Sequence, residues 1–309
     1  MKFGAVIVAD GETKHGTLLP ATTAVGSVSA VKRLIGTFQQ AGVDPIIVVA
    51  DHQSFAQVEK HTARMGVLCL SNQELGGRQM IDFAKIGLQY LQNKCDKILI
   101  APINTPLFTA DTLDRLMQSD AKIANPVYKK RAGHPLLIAN DFVLPILQYQ
   151  GEGGLRGAIK SSGCAREFIA VEDAGVLCNI ASGNHYHEVL RKFNQQSFHP
   201  HLKLQLVKEQ AFFGPGAAQL LAYIRDTGSV RLACQQMGIS YSKAWKMIEV
   251  MEQQTETKMV ERQQGGKNGG MAYLTAEGTE LLEKFKKFER ICKKFSQKTF
   301  DEIFKPDDD

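Results

Sequence analysis

At roughly 150 residues per domain, 309 residues give a prior of two domains, each large enough to bury its own core. With 44% hydrophobic and 22% charged residues and six cysteines that form no C-x-x-C pair, the chain is neither disordered, nor a disulfide miniprotein, nor a zinc ribbon. No window approaches the ~18 apolar residues of a membrane span, so a cytoplasmic protein with reduced thiols is expected. The net charge of +5 is too small to argue nucleic-acid affinity from the total, so any such argument must come from where the basic residues sit.

In chain order, short β-branched runs at residues 5–9, 46–50, 97–101 and 167–171 alternate with stretches of helical periodicity at 29–41, 54–65, 80–91 and 110–117. This alternation predicts an α/β fold, a Rossmann-like, doubly wound, mostly parallel sheet covered on both faces. In such sheets ligands bind at the carboxyl ends of the strands, which points to residues 10–20 and 102–106. Residues 186–213 change character, with three histidines, several glutamines and an alternating strand at 202–206, before Gly214-Pro-Gly216 halts regular structure. The expected division is 1–190, a linker with a short strand at 191–213, and a second domain at 214–309.

Beyond residue 214 the strand pattern stops. Three short helices are expected at 217–225, 230–237 and 241–253, then a hairpin at 259–274 and a long helix from Thr275. Gly228 and Ser229 end one helix and cap the next, and Gly238-Ile-Ser240 turns into Tyr241-Ser-Lys-Ala-Trp-Lys246, which is helix-turn-helix punctuation. Ser240, Tyr241, Ser242, Lys243 and Lys246 offer hydroxyls and ammoniums to DNA at a helix N-terminus, while Ala244, Trp245, Ile248 and Met251 are expected to face the core. Arg262, Gly265, Gly266 and Lys267 supply a basic, glycine-rich wing.

Residues 204–288 resemble the DNA-binding domain of ModE-type molybdate-responsive regulators. The resemblance is carried by Thr227-Gly-Ser229, Gly238-Ile-Ser-Tyr241, Ala244-Trp245, Val260-Glu-Arg262, Gly265-Gly266, Gly269-Gly270 and Leu274-Thr275, with Gly278 after them. It implies a winged helix-turn-helix domain with double-stranded DNA as partner. On the final helix, Leu281, Phe285, Phe288, Cys292 and Phe295 recur at spacings of four and three. That seam packs on its own domain or pairs two copies, and a homodimer is the expectation taken here. The chain ends shortly after the winged domain, so molybdate as effector does not come with this resemblance.

Phe3 to Gly11, Gly16, Leu18-Leu-Pro20 and Gly42-Val-Asp-Pro, with Asn104-Thr-Pro106, Gly133-His-Pro135 and Gly151-Glu-Gly-Gly-Leu-Arg-Gly157, resemble the MobA/MocA-like nucleotidyltransferases of molybdenum cofactor synthesis. The family cradles a nucleotide triphosphate on its first strand-loop and holds magnesium with carboxylates. Here Asp10 stands where a small residue is usual, Lys14 and His15 replace arginine and methionine, Asn104 replaces the aspartate of D-x-P, and Asn179-Ile-Ala181 replaces D-I-D. Neutral amide oxygens attract a hard dication poorly, so magnesium-dependent transfer is disfavoured and no catalytic residue is assigned. Asp10, Glu12 and Glu152 are the nearest substitutes.

Gly11, Lys14, Lys130, Arg131 and His134 are the ligand-binding candidates, suited to an anionic nucleotide or a molybdopterin phosphate. The glycines at 133 and 151–157 equally fit plain tight turns. His185, His187, His199 and His201 are read as solvated histidines rather than a metal site. The leading expectation is a transcription regulator of molybdenum metabolism with a degenerate nucleotidyltransferase-like sensor domain. The alternative is an active molybdenum cofactor cytidylyl- or guanylyltransferase with an appended DNA-binding domain.

Overall fold

The computed structural model describes residues 1–9, 19–63, 65–72, 79–182, 186–196, 198–263 and 271–304. They fall into two compact units, Met1–Ser197 and Phe198–Asp309.

The first unit runs β1 (Phe3–Val8), β2 (Ala24–Val25), β3 (Val28–Ser29), α1 (Ala30–Gln40), β4 (Ile46–Asp51), α2 (His52–Thr62), β5 (Leu68–Asn72), α3 (Met80–Leu91), β6 (Lys97–Pro102) and α4 (Ala110–Gln118). It continues with β7 (Ile123–Tyr128), β8 (Arg131–Ala132), β9 (Leu136–Ala139), α5 (Val143–Gln148), α6 (Gly154–Ser161), β10 (Glu167–Ala170) and α7 (Tyr186–Gln196). One sheet has the order β10-β7-β9-β6-β1-β4-β5, with β8 added on β7. Its ladders are parallel except where β9 runs against β6 and β7, and where β8 returns along β7.

β1 explains the apolar run at the start of the sequence. Ala5 to Val8 are at most 1% exposed because helices cover both faces of the strand. On one face α1 buries Ala30, Val31, Leu34, Ile35 and Phe38, a stripe of helical period. On the other, α3 brings Gly87 so close to β1 that a Cβ there would stand 2.5 Å from the Val6 side chain. Each fully buried Leu, Ile or Phe contributes on the order of 1.5–3 kcal/mol.

Because β1 has β4 on one side and β6 on the other, the order reverses beside it, and the crevice at the carboxyl ends of β1 and β6 is where such a sheet receives ligands. Two expectations need correction here. The strand expected at 202–206 is only β11 (Leu206–Val207), paired with β12 (Ala211–Phe213), because residues 201–205 find no ladder partner. Residues 191–196, expected to open the linker, instead complete α7, whose Leu190 and Phe193 are buried while Arg33 of α1 lies 5.4 Å from the Phe193 ring.

The second unit adds α8 (Pro215–Thr227), α9 (Val230–Met237), α10 (Tyr241–Thr255), β13 (Val260–Gln263), β14 (Met271–Leu274) and α11 (Ala276–Phe304). β13 and β14 pair antiparallel, so a helical core carries a two-stranded wing. Gly228 and Gly238 end α8 and α9 in the left-handed conformation that glycine adopts most readily. The 29-residue α11 is buried only in part. Leu282 and Phe285 enter the core, where Phe285 meets Phe213 edge-to-face at 5.0 Å. The expected seam is therefore split: Phe285 belongs to its own domain, whereas Phe288 and Phe295 are 48% and 70% exposed. Among the described residues no helix is long and apolar enough to cross a membrane.

Candidate functional sites

The carboxyl end of β6 runs into Asn104, whose backbone oxygen accepts a hydrogen bond from the Ile180 amide at 2.9 Å. The two positions where the sequence lacks its expected carboxylates, Asn104 and the Asn179 to Ala181 segment, are thus held side by side. Both amide oxygens already have donors: Asn104 Oδ1 accepts from the Thr105 hydroxyl at 3.3 Å, and Asn179 Oδ1 from the Ala181 amide at 2.9 Å.

The nearby Asp173 is also consumed. Its carboxylate accepts from the Thr109 amide, the Thr109 and Thr112 hydroxyls and the Gly175 amide, all within 3.1 Å, and so fastens its own loop to the start of α4. Among the described residues no three His, Cys, Asp or Glu side chains gather as a metal site. Neutral or committed oxygens do not fit a hard dication that needs several free, charged oxygen ligands. Glu152 sits on the exposed glycine-rich loop, and Asp10 and Glu12 lie outside the described residues.

The glycines have structural work. At Gly133 a Cβ would stand 2.3 Å from the Val176 carbonyl oxygen, and at Gly157 2.1 Å from that of Glu152. The loop preceding α6 is closed by the Tyr149 hydroxyl donating to the Glu152 carbonyl at 2.6 Å. Lys129 and Lys130 form the two-residue tip between β7 and β8, both with positive φ (47° and 62°), which costs non-glycine residues about 1–3 kcal/mol each. Lys129, Lys130 and Arg131 are exposed there.

His134 follows. Its amide donates to Val176 O at 2.9 Å, and its ring Nδ1 is shut off from solvent with no partner among the described residues. Burial, and then the charge of Arg166, lower its pKa to about 4, so the imidazole is neutral at pH 7. The sequence missed Asn125 and Arg166. Arg166 Nε donates to Asn125 Oδ1 at 2.7 Å, and Asn125 Nδ2 donates to Gly133 O at 2.8 Å. Residues 41 apart carry no local spacing signal that could have paired them. Gly11 and Lys14 lie outside the described residues.

In the second unit, Ser240 caps α10, accepting from the Lys243 amide at 3.2 Å, and Tyr241, Ser242, Lys243 and Lys246 are all exposed on its first turns. Lys246 forms a surface ion pair with Glu249 at 3.0 Å, the kind worth only a few tenths of a kcal/mol and easily exchanged. Ala244, Ile248 and Met251 are buried. Trp245, expected in the core, is only half-buried. Arg262 of β13 lies 3.5 Å above its ring centroid and Tyr241 meets its edge at 6.1 Å, so the wing strand is stacked onto the first turns of the helix. Gly265, Gly266 and Lys267 lie outside the described residues.

Comparison with known proteins follows the same division. Residues 20–166 match the MobA-like NTP transferase domain family, and residues 216–279 match bacterial regulatory helix-turn-helix proteins of the lysR family. The chain is 39% identical over 108 residues to the DNA-binding transcriptional dual regulator ModE of Escherichia coli K12, covering 35% of this chain and 38% of that protein. It is 36% identical over 77 residues to the molybdenum-pterin-binding protein MopB of Rhodobacter capsulatus, covering 25% and 28%. The matches thus span 38% and 28% of these relatives' own lengths. A nucleotidyl transferase from Methanothermobacter thermautotroptrophicus shares the fold at 20% identity, with a TM-score of 0.51 over 63% of this chain and 97% of that one. The chain carries a MobA-like NTP transferase domain and, after it, a regulatory helix-turn-helix domain related to that of ModE.

Proposed function

We propose that this protein is a DNA-binding transcription regulator of molybdenum metabolism whose MobA-like domain acts as a sensor of an anionic ligand and not as a magnesium-dependent transferase. The observation that carries the proposal is the first turns of α10, where Tyr241, Ser242, Lys243 and Lys246 stand exposed beside Arg262 of the wing. Hydroxyls and cations at the N-terminus of a recognition helix make phosphate and base-edge contacts, and the wing adds backbone contacts. The relationship to ModE supports the molybdenum assignment. For the first domain, the reading rests on Asn104 and Asn179 at the positions where a transferase would hold its metal.

Double-stranded DNA is the partner, and a homodimer presents two recognition helices to a two-fold operator. The exposed stripe of Phe288, Ile291 and Phe295 on α11 supports that assembly. Gly11, Lys14, Lys130, Arg131 and His134 are the contacts proposed for the sensed anion. Genome-wide footprinting tests the regulator reading. Enriched sites near molybdoenzyme or molybdate-transport genes are expected, and an absence of enriched sites sinks it. Robust magnesium-dependent release of pyrophosphate from CTP or GTP with a molybdopterin acceptor overturns the sensor reading in favour of the transferase.

A further inference from the structure

The two edges of the large sheet are finished differently. β5, at one end, has no exposed side chain and is flanked by α2 and α3. β10, at the other, leaves Glu167, Phe168 and Ala170 exposed, Phe168 to 56%. Among the described residues no strand continues the ladder beyond it. Just past the strand, the Val171 amide donates to Val127 O of β7 at 3.0 Å. Backbone groups alternate in direction along a strand, so Ile169 shares that side, while Phe168 and Ala170 turn their N–H and C=O groups away from β7 and into the open.

Such an edge is a template for another strand, and the residues around it fit one partner well. Arg166 and Glu172 lie three residues to either side of Ile169, and Phe168 and Ala170 one residue to either side. We infer that the free edge of β10 is a contact surface for a second copy of this chain, paired antiparallel about a two-fold axis at Ile169. In that register Phe168 stands opposite Ala170, Arg166 stands opposite Glu172, and the outward-turned residues exchange hydrogen bonds. A bulky side chain meets a small one and a cation meets an anion, each twice. Moving the axis to residue 168 or 170 sets Phe168 against itself or against Glu172. The Arg166 Nε–H stays with Asn125, which holds the guanidinium over Phe168 and leaves its other N–H groups for a carboxylate.

A four-residue strand falls well short of the ~1,600 Å² that a standard interface buries. The contact is therefore weak alone, forms at high protein concentration or between copies already joined, and leaves the chain monomeric in dilute solution when α11 is altered. It is separate from the stripe on α11 and rests on neither the regulator nor the sensor reading. Disulfide trapping suits a weak contact of defined register. Phe168→Cys and Ala170→Cys full-length chains, each also carrying Cys164→Ser to remove the nearest native thiol, are co-expressed with different tags and oxidised at high concentration. Residues facing each other in a hydrogen-bonded antiparallel pair have Cα atoms about 5.5 Å apart, within reach of a disulfide. The same residue in two copies is displaced by about 7 Å along the strand and is out of reach.

The mixed disulfide dimer is expected to exceed either homodimer at least fivefold. Adding Glu172→Arg to both chains sets like charges opposite each other and should reduce it at least threefold, with Glu172→Gln in between. Adding Arg166→Glu to Glu172→Arg reverses the pair and should restore the yield. Should that double reversal fail to fold, as judged by its thermal transition, the graded series at the exposed Glu172 decides alone. A mixed dimer no more abundant than the homodimers, or a yield indifferent to Glu172→Arg, overturns the inference.

Discussion

The two units use their polar residues in opposite ways. Around the carboxyl ends of β1 and β6, Asp173, Asn104 and Asn179 are occupied by the protein's own amides and hydroxyls, and Gly133 and Gly157 are required by backbones that pass too close for a Cβ. At the start of α10, Tyr241, Ser242 and Lys243 project into solvent beyond a helix already capped by Ser240. The first pattern maintains a shape and the second waits for a partner. Under the proposed function, the first pattern is that of a pocket whose polar groups have been turned inward, and the second that of a DNA reader that leaves its donors unspent.

The comparison breaks first at its tightest points. Gly133→Ala forces an atom to 2.3 Å from the Val176 oxygen and should cost the first unit about 3–5 kcal/mol, read by denaturant unfolding, because backbone on both sides cannot yield. A variant of unchanged stability shows that the loop can move away from the Val176 carbonyl.

On α11, Phe285→Ala should cost about 3–5 kcal/mol through loss of the contact with Phe213. Phe288→Glu with Phe295→Glu should leave folding intact and yield monomers by sedimentation. Unchanged dimers place the interface elsewhere.

His134 sharpens the contrast by pH. Its pKa lies near 4 in the folded chain against an ordinary 6.5, so the folded state disfavours the proton. The stability held above pH 6.5 is lost progressively as pH falls toward 4, by about 3 kcal/mol in total. His134→Gln should flatten that part of the stability–pH curve. An unchanged slope shows that the ring is solvated.

The smallest effect belongs to the reader. Lys243→Ala should lower DNA affinity about tenfold, near 1.4 kcal/mol, and reduce the salt slope by about 0.9, with no change in thermal stability. An unaltered slope excludes a phosphate contact there.

How much of this could be read from the chain alone follows the range of each interaction. The apolar strands at 46–51 and 97–102, the helix at 80–91 and the capped turn at 238–241 announce themselves within a few residues, because burial period and capping are local. β7 and β9 did not: Ile123–Tyr128 contains a proline and an asparagine that only pairing in the sheet tolerates, with Asn125 stabilised by Gly133 and Arg166. Trp245 was misjudged for a related reason. Its spacing matches Ile248 on the buried face, but what covers it is a cation from a strand seventeen residues on. The split of α11 was equally invisible, since Phe285 and Phe288 look alike in a heptad and differ only in whether Phe213 is opposite.

The stacking of Arg262 on Trp245 carries one more consequence. Trp245 is the sole tryptophan of the chain, so the protein has a single indole chromophore, and it sits at the joint between wing and recognition helix. Selectively excited emission therefore reports on that joint alone. It is a built-in optical gauge of the reader's local geometry, to which the larger domain contributes no background of its own.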